Sequence, residues 1–160
     1  MKTPLRRIVL IGENIELRIV SLVVRCREVA EDVVVFDTGS TDETVQLAGE
    51  VQSRVVEYIG DLTPQHLAKA AVSASLDDGL TLFLPISPMW KMAELPLSVN
   101  RAREGWDIHY LYREQPGTNA LEPMMLANAS MGHLIASAAG LQHLAQLPDD
   151  ATTDDVSDEV

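Results

Sequence analysis

Cysteine is nearly absent from this chain: Cys26 is the only one in 160 residues. That excludes a disulfide framework and a cysteine-rich zinc site. Its place in an apolar helical pattern marks it as a small buried hydrophobe. No apolar run approaches the roughly 18 residues needed to span a bilayer, so no membrane insertion is expected. The stretch behind Lys2, Arg6 and Arg7 ends at Gly12-Glu13-Asn14, too early for a signal peptide. The expected location is cytoplasmic. Basic residues are also scarce, 12 Lys+Arg against 24 Asp+Glu, for a net charge of −12. Six of the acids (Asp149, Asp150, Asp154, Asp155, Asp158, Glu159) lie in the last twelve residues with no base among them. Setting those six aside leaves 18 acids against 12 bases, about −6 on the body. A surface of that sign repels phosphate backbones and anionic lipid, which argues against nucleic-acid and peripheral-membrane roles.

What is present reads as a globular domain, 46% apolar and 22% charged. Short strands are predicted over Arg6–Ile11, Asp32–Phe36, Arg54–Tyr58, Leu80–Leu84 and Trp106–Tyr112, with a further one over Met124–Ala127. Helical spacing falls between them. One helix is capped by Asn14 and ends near Glu28; others run from about Thr41 to Glu50, from Thr63-Pro64 to Leu76, and from Met89 to Arg103. Ala136, Ala139, Leu141, Leu144 and Leu147 support a last helix, with His133 placed in the same helical stretch. Strands alternating with helices imply right-handed crossovers and a layered α/β sheet. The domain is expected to occupy residues 1–147, with an acidic, disordered tail over 148–160.

The most informative segment is Val33-Val34-Val35-Phe36-Asp37-Thr38-Gly39-Ser40-Thr41-Asp42-Glu43-Thr44. A strand buried on both faces ends in a carboxylate, and Gly39 lets the backbone turn tightly. Ser40 or Thr41 is placed to cap the next helix. Ligands of open α/β sheets sit at the carboxyl ends of the strands, where Asp37 falls. The local chemistry leaves two roles open: Asp37 faces a ligand, or it only braces its turn.

Asp37-Thr38-Gly39-Ser40-Thr41-Asp42-Glu43-Thr44 resembles the signature of glycosyltransferase family 2, inverting nucleotide-sugar transferases of GT-A fold. Leu10–Leu22, with Glu13-Asn14-Ile15-Glu16, and Asp61–Leu84 are similar to further parts of that family; the likeness spans about Arg6 to Arg113. It implies a three-layer α/β/α sandwich with a mainly parallel sheet, the first strand lying between the second and the fourth. It also implies that Asp37 contacts the nucleotide base, that Gly39 belongs to the same turn, that the backbone near Gly12 borders the base pocket, and that Lys69 could meet a phosphate.

The departures are as informative. The family's fourth strand ends in Asp-x-Asp, two carboxylates that hold Mg²⁺ or Mn²⁺ against the donor diphosphate. Here Leu80-Thr81-Leu82-Phe83-Leu84 runs into Pro85-Ile86-Ser87-Pro88-Met89, and no acid occurs between Gly79 and Lys91. No metal cofactor is therefore expected. The chain also lacks the acceptor half of the family, so it reads as truncated; Glu114 and Glu122 are the only acids between Arg113 and the tail. No catalytic residue is assigned. The expected function is a degenerate member of the family with a binding or assembly role linked to sugar transfer. Two alternatives stand beside it: a metal-independent transferase that binds nucleotide-sugar, and a small interaction domain without nucleotide affinity. Expected partners are a nucleotide-sugar, another protein or a second copy.

Other constellations fall short. His66, His109, His133 and His143 lack metal-ligand spacing. A haloacid-dehalogenase loop would need an acid where Gly39 stands, and a dinucleotide fingerprint would need more glycines than Gly12. Ser87, Ser130 and Ser137 lack a nucleophile-elbow context. Met89, Trp90, Met92, Met124 and Met125 suggest either core packing or an apolar surface near the missing metal site.

Overall fold

Four consecutive residues, Val33 to Phe36, are all buried, which requires a layer on each face of their strand. The computed structural model, which describes residues 4–113 and 130–152, supplies both layers. The order is β1 (Arg7–Gly12), α1 (Ile19–Arg27), β2 (Asp32–Asp37), α2 (Thr44–Glu50), β3 (Arg54–Glu57), α3 (Pro64–Ser73), β4 (Thr81–Pro85), α4 (Leu95–Ala102), β5 (Ile108–Arg113), β6 (Ser130–Ala136) and α5 (Ala138–Ala145). The strands form one sheet in the order β3-β2-β1-β4-β6-β5. β1 lies parallel to β2 and β4, and β2 parallel to β3. β6 runs antiparallel to both β4 and β5. The expected α/β/α layering with a mainly parallel sheet is what forms, with β1 between β2 and β4.

Successive strand residues point to opposite faces, so each apolar run feeds two cores. Val33 and Val35 pack with Ile19, Leu22, Val23 and Cys26 of α1, Ala48 of α2 and the apolar face of α4. Val34 and Phe36 pack with Leu67 and Ala71 of α3 and Leu141 and Leu144 of α5. The Phe36 ring stacks on Tyr58 at 5.6 Å and meets Phe83 edge-on at 6.3 Å. Cys26 is fully buried, and desolvation pushes its thiol up to about 12.

At the amino end of the sheet the buried Arg7 is enclosed by polar partners. Its guanidinium donates to Asp32 at 2.7 Å, to Asp78 at 2.8 Å and to the Leu76 carbonyl at 2.9 Å. Burial acts to lower its pKa, but the hydrogen bonds and charges of Asp32 and Asp78 outweigh it and raise the value. Past α5 the chain continues onto α3: Gln65 donates to the Pro148 carbonyl, and Ala151 is buried.

Four expectations are corrected. Asn14 does not cap α1; its φ is +54°, a left-handed conformation that asparagine tolerates, and the helix starts only at Ile19. α2 starts at Thr44, because residues 40–43 remain in the loop. The helix expected over Met89–Arg103 divides into a 3₁₀ turn, Met92–Glu94, and α4, whose second residue is Pro96; proline lacks the N–H an interior position would use. His133 is not helical: Ser130–Ala136 is a strand, and α5 begins after Ser137, whose hydroxyl accepts from the Gly140 N–H at 3.1 Å. The strand expected over Met124–Ala127 lies outside the described residues.

Candidate functional site

The sheet order reverses between β1 and β4. From β1 the chain builds outward through β2 and β3, then returns to add β4 on the other side. A crevice at such a switch point, beyond the carboxyl ends of the strands, is where open α/β sheets bind ligands. Gly12 ends β1 in register with Asp37 at the end of β2, and Ile11 is in register with Pro85 of β4. Gly39 follows two residues after Asp37. The structure thus brings Gly12, Asp37 and Gly39 to the same place.

Each position has a physical reason. A Cβ on Gly12 would lie 2.9 Å from the Ile86 carbonyl oxygen, so only glycine lets the loop after β4 approach β1 this closely. Gly39 has φ +130°, a region that side-chain-bearing residues rarely adopt. Asp37 is 7% exposed, and Ser40 engages both of its oxygens: the hydroxyl donates to Oδ1 at 2.5 Å and the N–H to Oδ2 at 3.2 Å. Ser40 thus braces the Asp37 carboxylate within its turn, and each oxygen keeps a second lone pair, so both roles read from the sequence stay open.

The loops after β1 and β2 are stitched together around this carboxylate. The Asn14 side chain accepts from the Thr41 N–H at 2.8 Å, while the Asn14 N–H donates to the Ser40 hydroxyl at 3.0 Å. The Ile15 N–H donates to the Thr44 hydroxyl at 2.8 Å, and the Glu43 N–H to the Glu16 carboxylate at 3.1 Å. Asp42 accepts from the Thr44 hydroxyl and N–H and from the Glu16 N–H. Desolvation pushes the Asp42 carboxyl upward, yet these hydrogen bonds prevail and hold it below the usual range.

Arg18 reaches the loop after β4. Its guanidinium donates to the Trp90 carbonyl at 2.7 Å and to the Ser87 carbonyl at 2.8 Å, tying the start of α1 to the loop after β4. The residues present do not fit a divalent metal here. Pro85 and Ile86 offer no side-chain ligand, and two loop carbonyls are already occupied by a cation. No group of three or more His, Cys, Asp or Glu among the described residues could hold a metal. Met89 points outward, whereas Trp90 and Met92 pack against the core; Met124 and Met125 lie outside the described residues.

Lys69 makes a different contact. Its ammonium lies 3.8 Å from Asp149, a carboxylate that His66 also approaches at 3.4 Å. His109 and His133, far apart in sequence, meet across β5 and β6 with ring nitrogens 3.1 Å apart, and the Trp106 ring covers His109 at 4.7 Å. Asn14 and Arg18 make loop contacts at this end of the sheet that the sequence did not disclose. Asn14 reads in sequence as a helix cap, and nothing near Arg18 signals partners about 70 residues away.

No protein-family model matches the chain, and no curated protein matches it significantly. Solved structures with a similar chain path include a 4-diphosphocytidyl-2C-methyl-D-erythritol synthase, at TM-score 0.49 and 17% identity over 98% of this chain and 85% of that one. Another is glucosyl-3-phosphoglycerate synthase from Mycobacterium tuberculosis, solved with Mn²⁺, uridine diphosphate and glucosyl-3-phosphoglycerate, at TM-score 0.47 and 20% identity over 83% of this chain and 57% of that one. A third is a mycobacterial protein, at TM-score 0.47 and 20% identity over 83% and 53%. The chain spans little more than half the length of the last two. No helix among the described residues is long and apolar enough to cross a membrane.

Proposed function

We propose that this chain is a degenerate, GT-A-like relative of the family 2 glycosyltransferases that keeps the nucleotide-side scaffold and acts in binding or assembly linked to sugar transfer, not in catalysis. The observation that carries this reading is the state of the switch-point crevice. The acid of the family-like motif, Asp37, has each of its oxygens hydrogen-bonded to Ser40. The carboxyl end of β4 presents Pro85-Ile86-Ser87 where the family would place metal ligands, and Arg18 pins the loop that follows. Glu13, Glu16, Asp42 and Glu43 lie on the segments after β1 and β2, and with no metal to offset them such carboxylates repel a diphosphate.

Calorimetric titration of the full chain with uridine diphosphate, with and without Mn²⁺, tests this. The expected result is weak binding or none, unchanged by metal. Metal-dependent micromolar binding would overturn the reading and restore a working donor site.

A further inference from the structure

Two histidines from separate strands meet at one side of the sheet. In the antiparallel register of β5 and β6, His109 lies opposite Ile135 and His133 opposite Leu111. Opposed residues share a face, so both imidazoles stand on the side where Ile135 packs with α4. The register slips beside His133, between Leu111 and Tyr112, and a bulge of this kind re-aims the side chains next to it. His133 is buried and His109 half-buried. Their facing nitrogens, Nδ1 of His109 and Nε2 of His133, are 3.1 Å apart, and the ring centroids 5.2 Å apart.

We propose that His109 and His133 chelate one divalent transition-metal ion of the Zn²⁺, Ni²⁺ and Cu²⁺ class through these two nitrogens, with water in the remaining positions. Two imidazoles on one tetrahedral ion, each nitrogen about 2.05 Å from it, stand about 3.3 Å apart at nitrogen and about 5.2 Å apart at the ring centres. The observed spacings match within a few tenths of an ångström, so neither strand has to move. Without metal, one facing nitrogen donates a proton to the other. On binding, that proton passes to the far nitrogen of its own ring, so both facing nitrogens present lone pairs and neither ring gains charge. The donors are nitrogen alone, which suits these ions and disfavours Mg²⁺ and Mn²⁺, whose preferred partners are oxygens. The Trp106 ring packs on His109 at 4.7 Å and shields one side of it. Arg101 and Glu104, at the end of α4, act on His109 with opposite charge and pair with each other at 3.2 Å, so they offset one another. A chain of net charge −12 draws cations toward it. The site rests on β5 and β6, so it holds whether or not the crevice between β1 and β4 takes a nucleotide.

Two protein donors are fewer than the three of most catalytic zinc sites, so binding is reversible, with an expected dissociation constant below about 100 µM. Calorimetry of the full, chelator-treated chain with Zn²⁺ should show one such site, and Mg²⁺ should not fill it. His109→Gln should weaken Zn²⁺ at least about tenfold. His66→Gln, which removes the contact with Asp149, should leave that binding unchanged. His109 lies on an edge strand, and far-UV circular dichroism checks that its variant folds. Imidazole nitrogen NMR of the parent needs no variant: Zn²⁺ should shift His109 Nδ1 and His133 Nε2 and leave His66 and His143 in place. Absence of saturable Zn²⁺ binding overturns the proposal. So does binding unmoved by His109→Gln, or nitrogen shifts confined to His66 and His143.

Discussion

Asp37 ends β2 with an acid whose hydrogen bonds stay within its own turn. A nearly buried carboxylate must be satisfied, and Ser40 supplies a hydroxyl and an N–H three residues on. Removing the carboxylate strands both donors, and hydrogen bonds to a charged group are each worth about 1.5–3 kcal/mol, part of which water recovers. Asp37→Ala should therefore cost roughly 2 kcal/mol in urea unfolding, whereas Asp37→Asn, which keeps an acceptor, should cost less than half as much. An alanine variant as stable as the parent would return Asp37 to the role of an open ligand contact. The acid, the glycine and the hydroxyls of this turn were legible in sequence because their roles are local. Asn14 was misread because a polar residue after a strand suits a helix cap and a left-handed turn alike. Arg18 left no local trace, since its partners are loop carbonyls brought near only by the fold.

At the scale of elements, the strands with apolar runs buried on both faces were readable, β2 above all, because burial on two sides leaves no polar interruption. β6 was not. Ser130-Met131-Gly132-His133-Leu134-Ile135-Ala136 mixes serine, glycine and histidine with its apolar residues, and such a run does not separate strand from helix. Its identity comes from pairing with β4 and β5. That pairing buries His133, whose pKa desolvation lowers to about 4, assisted by His109 and Arg101. Desolvation lowers His109 too, with Arg101 adding to the effect and Glu104 opposing it. In the unfolded chain His133 takes up a proton near the ordinary 6.5, while in the folded chain its imidazole stays neutral until about pH 4. Between those values the unfolded state binds more protons, so stability falls as pH falls and is level above about 6.5. The expected loss is at most roughly 3 kcal/mol across that window. Replacing His133 by Phe should flatten the slope between about pH 6.5 and 5, before most carboxylates titrate. An unchanged slope in the variant would assign it to other groups.

The whole molecule is held at both ends of its sheet, by hydrogen-bonded loops at the carboxyl end and by one buried cation at the amino end. Arg7 belongs to β1, yet its partners are Asp32 at the start of β2 and Leu76 and Asp78 before β4, so a single side chain ties three neighbouring strands. The same buried β1 residues divide between the two cores, Ile8 and Leu10 on one side and Val9 and Ile11 on the other. Loosening β1 at Arg7 should therefore weaken both helical layers together and not release one alone. Asp32 and Asp78 are partly exposed and regain water when the arginine goes, which keeps the cost below that of orphaning a fully buried charge. Arg7→Met, which retains most of the aliphatic stem, should lower stability by about 2 kcal/mol. For a domain of this size that is a fall of roughly 4–8 °C in the unfolding midpoint. Melts followed by far-UV and near-UV circular dichroism should shift together. Separate transitions in the variant would mean that the layers unfold independently and that Arg7 secures only its own edge of the sheet.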